Sequence, residues 1–200
     1  MNTSAPILEP QTQAFIDSLT AAGVPPLYTL TPAAARGVLS DAQAKPVAKL
    51  PAEIEDTTFP GGPTGSVNIR IVRPPGVKDP LPVLFHIHGG GWVLGDKNTH
   101  DRLTRELAVG ARAAVVFVDY ERSPEARYPV AIEQAYAAIL HVVAHAKQLK
   151  VDASRLAIFG DSVGGDMSAA LMLMIKERRG PRFAVASRTR PAARRDSHGG

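Results

Sequence analysis

The sequence contains no cysteine in 200 residues, which excludes disulfides, thiolate nucleophiles and Cys-ligated zinc or iron-sulfur sites together. That absence fits a reducing compartment. Long apolar runs are missing too: the longest, Ala169 to Ile175, falls far short of a membrane span. The first fifteen residues have neither the basic start nor the apolar stretch of a signal peptide. The expectation is a cytoplasmic protein with no membrane span. No internal repeat occurs.

Basic charge is present, but not where a nucleic-acid surface needs it. The net charge is +4 and the pI about 9.6, yet residues 176–200 alone carry +6 and the remainder −2. A nucleic-acid face interleaves basic and aromatic groups within the fold, whereas this tail holds one aromatic, Phe183. Nucleic acid is therefore not the expected partner. The chain is 44% hydrophobic and 21% charged with mean hydropathy near zero, a composition able to bury a core. Its length suits one domain.

The texture changes three times along the chain. Gln11 to Ala22 and Ala33 to Ala44 read as short helices, the second opened by Thr31 as N-cap and Pro32 at the first helical position. Pro25, Pro26, Pro46 and Pro51 set this helical N-terminal segment, residues 1–50, apart from the rest of the chain. Ile54 to Phe59 and Val67 to Arg73 then read as an antiparallel pair turned by Gly61 to Gly65. From Pro82 strands alternate with helices: Val83 to His88, a helix near Thr99 to Ala108, Ala113 to Asp119, Val130 to Leu149, Leu156 to Gly160, Gly164 to Arg178. This predicts an α/β fold whose sheet is mainly parallel with crossover helices, over residues 51–181. Residues 182–200 keep no helical or strand period and read as a disordered basic tail. The composition favours sequence never selected to fold, as when a GC-rich gene is read out of frame, over a solvated basic tail.

Two motifs carry chemistry. Gly160-Asp161-Ser162-Val163-Gly164 fits G-x-S-x-G at a strand-to-helix junction, where a sharp turn lifts Ser162 clear of the sheet. Larger side chains at the flanking glycines would collide, and the Val163 amide at the helix N-terminus can face developing negative charge. His88-Gly89-Gly90-Gly91-Trp92 follows an apolar strand, and its glycines let backbone N–H groups approach an oxyanion or a phosphate. It matches neither G-x-G-x-x-G nor the phosphate loop. Paired with a nucleophile elbow two βα units later, it fits the glycine loop that supplies the remaining oxyanion donors.

These segments, with Asp119-Tyr120-Glu121-Arg122-Ser123-Pro124-Glu125, resemble the hormone-sensitive-lipase-like family of the α/β-hydrolase superfamily from about Val67 to Gly180. The N-terminal helices look like part of that family's cap. The resemblance implies a serine hydrolase of carboxylic esters with a small-molecule ester substrate and no cofactor. Ser162 would be the nucleophile, the amides of Gly90, Gly91 and Val163 the oxyanion hole, and His88, Gly89, Gly160, Asp161 and Gly164 its support. Val163 stands where the family usually has alanine, and Asp166 where asparagine is common.

The triad of this fold runs Ser, then Asp or Glu, then His. After Ser162 the sequence offers Asp166, Glu177, Asp196 and His198, and none suits: the first two lie on the elbow's own helix and the others in the tail. The sequence therefore reads as a truncated, low-activity form lacking the triad acid and base. A non-catalytic ligand-binding protein or a non-functional gene fragment on the same scaffold is the alternative. The missing later strands predict a bare apolar edge at Leu156 to Gly160, and hence self-association. His86 and His88 share one strand face and could ligate a metal with a third group, but a satisfied core His86 and a loop-steadying His88 fit better, so no metal site is expected. His141 and His145, one helical turn apart, read as a solvated face. Met167, Met172 and Met174 read as core filling. His88 and His100 are the candidates should an unexpected base exist.

Overall fold

The structure, a computed structural model, describes residues 8–23 and 25–189. Helices α1 (Pro10–Ala21) and α2 (Pro32–Gln43) precede strands β1 (Glu53–Pro60), β2 (Ser66–Arg73) and β3 (Leu81–Ile87). Then come α3 (Asp101–Ala111), β4 (Ala114–Val118), α4 (Val130–Ala144), β5 (Val151–Asp161), α5 (Val163–Glu177) and β6 (Val185–Thr189). The six strands form one sheet in the order β1-β2-β4-β3-β5-β6. The first two pairings, β1 with β2 and β2 with β4, are antiparallel, and the remaining three are parallel.

The apolar strands are explained by layers on both faces. Val83, Phe85 and Ile87 of β3 and Val116 and Val118 of β4 point to one face. There they pack with Ala135, Ile139 and Val142 of α4 and Leu171 and Ile175 of α5, all buried. The opposite face carries the smaller cluster of Val72, Ala108 and Val115 beneath α3. All five residues of β4 are buried, as a central strand covered on both sides requires. Thr31 caps α2 by accepting from the Ala34 amide at 3.3 Å, and Pro32 opens the helix as the sequence predicts.

Three expectations change. Strand β5 starts at Val151, before Leu156, with a register shift opposite Pro82 and Val83, and α4 stops at Ala144 rather than Leu149. The expected disordered tail is contradicted for Val185–Thr189, which pairs in parallel with β5 from Ala157↔Val185 to Asp161↔Thr189. The Ala184 amide also donates to the Leu156 carbonyl at 2.8 Å. Local sequence carries no strand signal there, and the open ladder edge of β5 supplies the pairing instead. The Leu156 to Gly160 edge is therefore paired, and β6 is the last strand of the sheet on that side among the described residues. Residues 190–200 of that tail lie outside the described residues.

Burial and edge cover can be tested separately. Ile158, fully buried at the centre of β5, should cost about 2–5 kcal/mol of unfolding free energy on Ile158→Ala, read in urea. A chain ending at Gly180 should show a larger weight-average sedimentation coefficient than the 200-residue chain at equal concentration. Equal values would show that β6 is not what protects the β5 edge.

Candidate active site

Parallel neighbours β3 and β5 end side by side, with Ile87 opposite Gly160, so the segments after them meet at the carboxyl edge of the sheet. After β5 the chain enters α5 through Ser162, held at φ 51°, ψ −127°. No L-residue adopts this backbone without strain, about 1–3 kcal/mol. The Ser162 side chain makes no capping hydrogen bond and is exposed, while its carbonyl accepts from the Gly165 amide at 2.8 Å. The glycines at both ends are required by contact. A Cβ on Gly160 would overlap Gly164 and lie 2.6 Å from the Gly165 nitrogen, and one on Gly164 would overlap the Ile87 carbonyl.

The glycine turn after β3 rests on this elbow. A Cβ on Gly89 would lie 2.7 Å from the Asp161 carbonyl oxygen and 3.1 Å from Ser162 Cβ. Gly90, at φ +114°, accepts on its carbonyl from the Leu94 amide at 2.8 Å and the Val93 amide at 3.2 Å. Val163 is the first residue of α5, so its amide has no partner within the helix. The structure thus brings Gly89 against the Ser162 junction, with Gly90 and Gly91 next in the same turn.

Beneath them lies a polar layer. His88 is fully buried, donates from Nδ1 to the Gly89 carbonyl at 2.8 Å, and stacks 4.1 Å from Tyr120 and 5.1 Å from Phe117. Tyr120 donates its hydroxyl proton to the His88 carbonyl at 2.9 Å, while His88 Nε2 has no partner. Burial, outweighing the Gly89 hydrogen bond, lowers the His88 pKa to about 3, so the ring is neutral. His86, fully buried, meets Thr104 Oγ1 at 3.4 Å and Asp161 Oδ1 at 3.3 Å. Burial lowers its pKa as well.

The Asp161 carboxylate also faces His100 Nε2 at 3.7 Å. Burial works to raise its pKa, but hydrogen bonding to His100 and His86 and their charge prevail, holding the carboxyl far below its usual range. Asp161 thereby ties the elbow to β3 and to the start of α3. His88 thus bonds the glycine turn through the Gly89 carbonyl, and His86 is buried with polar partners at both ring nitrogens. The position of His100 and the role of Tyr120 are not readable from the sequence, since neither residue's contact belongs to a local pattern. Among the described residues no cluster of three or more His, Asp or Glu could hold a metal ion.

Beside Gly91 opens a cavity of about 450 Å³ walled by Trp92, Tyr128, Ile132, Met167 and Ala170. The Trp92 indole N–H points at Met167 Sδ, 3.0 Å away. Met167 is core, as expected, and also cavity wall, while Met172 and Met174 pack against the core partly buried. His141 and His145 form a half-buried stack, with Phe59 3.8 Å from His141, rather than a solvated face. Among the described residues no side chain hydrogen-bonds the Ser162 hydroxyl. Glu177 ends α5, far along it from the elbow, and Asp196 and His198 lie outside the described residues.

A family model described as alpha/beta hydrolase fold matches residues 84–198. The chain belongs to this α/β-hydrolase family. The motif resemblance drawn from the sequence is thus correct at the level of family, fold and mainly parallel sheet. The chain is 43% identical over 128 residues to carboxylesterase NlhH of Mycobacterium tuberculosis, covering 64% of this chain and 40% of NlhH. It is 45% identical over 122 residues to esterase LipI of the same organism, covering 60% of this chain and 38% of LipI. The crystal structure of a thermostable esterase from Pseudomonas putida ECU1011 superposes with a TM-score of 0.87 at 45% identity, covering 92% of this chain and 58% of that one. The chain therefore spans well under two thirds of each of these relatives. No helix among the described residues is long and apolar enough to cross a membrane.

The buried imidazole makes stability depend on pH. His88 has a pKa of about 3 folded against 6.5 ordinarily, so between these values the unfolded chain binds a proton that the folded chain does not. Stability is therefore greatest above pH 6.5 and falls as pH drops towards 3, by up to about 1.4 kcal/mol per pH unit from this residue. His88→Gln, neutral throughout, should flatten the slope by about that amount in urea titrations at pH 5 and 7. An unchanged slope would mean that His88 is solvated.

Proposed function

We propose that the chain carries the nucleophile and oxyanion site of a carboxylic ester hydrolase. Ser162 is the nucleophile, and the backbone amides of Gly90, Gly91 and Val163 receive the oxyanion. The observation that carries the reading is the strained Ser162 backbone at the head of α5 with the glycine turn packed against it. Strain of this kind persists where the surroundings impose it and an exposed hydroxyl is useful. Relatives named carboxylesterase and esterase support the same chemistry.

Ser162 Oγ bonds to the ester carbonyl carbon as its proton passes to a base, and the carbonyl electrons move onto oxygen, facing the amides. Collapse breaks the bond to the alkoxy oxygen, which takes the proton and leaves as the alcohol. Water then repeats the sequence on the acyl-serine, releasing the carboxylic acid and restoring the hydroxyl. The cavity beside Gly91 suits an apolar portion of a small-molecule ester, and the route calls for no metal or cofactor. A cytoplasmic setting completes the reading.

The base is what the described residues do not supply. His88 is neutral and closed between Tyr120 and Phe117, His100 faces Asp161, and neither hydrogen-bonds Ser162. The 200 residues by themselves should therefore act as a low-activity form, since no described Asp–His pair reaches Ser162. Loss of a triad histidine costs on the order of 10⁶ in turnover, leaving about 10³–10⁴ over water from the oxyanion site and binding. The unassisted Ser162 favours a second reading, non-catalytic ligand binding in the same cavity.

One assay separates the two. The chain should hydrolyse p-nitrophenyl butyrate well below about 1 s⁻¹, and Ser162→Ala should barely change that rate. Added imidazole should raise p-nitrophenol release above the level seen with Ser162→Ala and leave a butyryl group on Ser162, found by mass spectrometry. No acyl-serine under imidazole would favour ligand binding alone. Turnover above about 1 s⁻¹ that Ser162→Ala abolishes would show that a base is present.

A further inference from the structure

Helix α2 buries only Ala35, so apolar packing contributes little to holding it on the sheet. Its attachment is polar and concentrated in Arg36. The Arg36 guanidinium donates from Nε to the Val93 carbonyl at 2.7 Å and from Nη2 to the Ser123 carbonyl at 2.8 Å. The same group grips both Glu125 carboxylate oxygens, at 2.8 and 2.7 Å. All three partners belong to two loops near the candidate site.

The two loops are already linked to each other and to the glycine turn. The Ser123 amide donates to the Trp92 carbonyl at 2.8 Å, and the Val93 and Leu94 amides close on the Gly90 carbonyl. Gly91, Trp92, Ser123 and Ala126 line the 450 Å³ cavity. The Arg36 side chain is 19% exposed against 62% for Glu125. Its two carbonyl bonds are thus the better shielded part of the contact, and the solvated ion pair is the weaker part.

We propose that Arg36 is a positioning residue through which α2 sets the geometry of the glycine turn and of the cavity beside it. The catalytic part of this proposal rests on the ester-hydrolase reading of Ser162. A planar fork is needed to span two carbonyls and a carboxylate at once, and the point charge of lysine does not replace it. Docking of the N-terminal segment and shape of the site are then coupled. Whatever loosens α2 loosens the turn that holds the Gly90 and Gly91 amides.

The test is amide hydrogen exchange on the full chain, resolved by residue, for wild type, Arg36→Ala, Arg36→Lys and Glu125→Gln. Arg36→Ala and Arg36→Lys should speed exchange at Leu94 and Ser123 about tenfold, and Glu125→Gln less than about threefold. Amides of Val116 and Ile158, in the centre of the sheet, should be unaffected in every variant. Unchanged Leu94 and Ser123 exchange in the Arg36 variants would overturn the proposal. Equal acceleration everywhere in Arg36→Lys would also overturn it, since Arg36 would then act only on global stability. Imidazole-assisted acylation of Ser162 should fall about tenfold in Arg36→Ala, with the change in kcat exceeding that in KM. If wild type forms no acyl-serine, the ester-hydrolase reading fails while the exchange result still decides the positioning role.

Discussion

At the end of β5 three stretches of main chain approach so closely that hydrogen is the only side chain they admit. Gly160 touches the Gly164 peptide, Gly164 rests on the Ile87 carbonyl, and Gly89 rests on Asp161. These contacts fix where α5 begins, force Ser162 to positive φ, and seat the glycine turn against the elbow. The strain at Ser162 is worth about 1–3 kcal/mol. Burying Met167, Leu171 and Ile175 on the inner face of α5 contributes about 1.5–3 kcal/mol for each. Burial wins by a clear margin, so the helix can hold the serine where isolated backbone would not.

The two faces of the sheet have different chemistry. Under α4 and α5 the core is apolar apart from Gln134 and Ser168, whereas towards α3 it gives way to His86, His88, His100 and Phe117 in mutual ring contact. Burial favours the neutral form of His86 and His88, and Asp161, an ion, is held by the two histidines that face it, His86 and His100. The loop ends are therefore pinned by directional bonds, not by packing alone. His88 Nε2 is the exception, a buried acceptor without a donor.

The elbow, the glycine loop and the parallel core were legible because each is written locally. Glycine spacing reports forbidden Cβ positions, and runs such as Ala114 to Val118 report a strand covered on both faces. What was not legible is pairing at a distance. Strand β6 is carried by the free edge of β5, which residues 185–189 do not announce. Arg36 reaches Val93, Ser123 and Glu125 across more than fifty residues of sequence, and nothing around it separates it from a surface arginine. His100 meets Asp161 in the same way, through the fold rather than through a motif.

The strand order has a consequence for how the chain is made. Strand β2 ends at Arg73, but its second neighbour, β4, ends only at Val118, and β3 must be placed beyond β4 before the sheet is continuous. A ribosome adding roughly 5–20 residues per second leaves the second edge of β2, the one that β4 later pairs, open for seconds. Its alternating Val67, Ile69 and Ile71 face nothing during that interval. Until β4 and α4 are made, the nascent hairpin thus combines an apolar face with an unpaired inner edge, the two features that make an incomplete fold prone to aggregate.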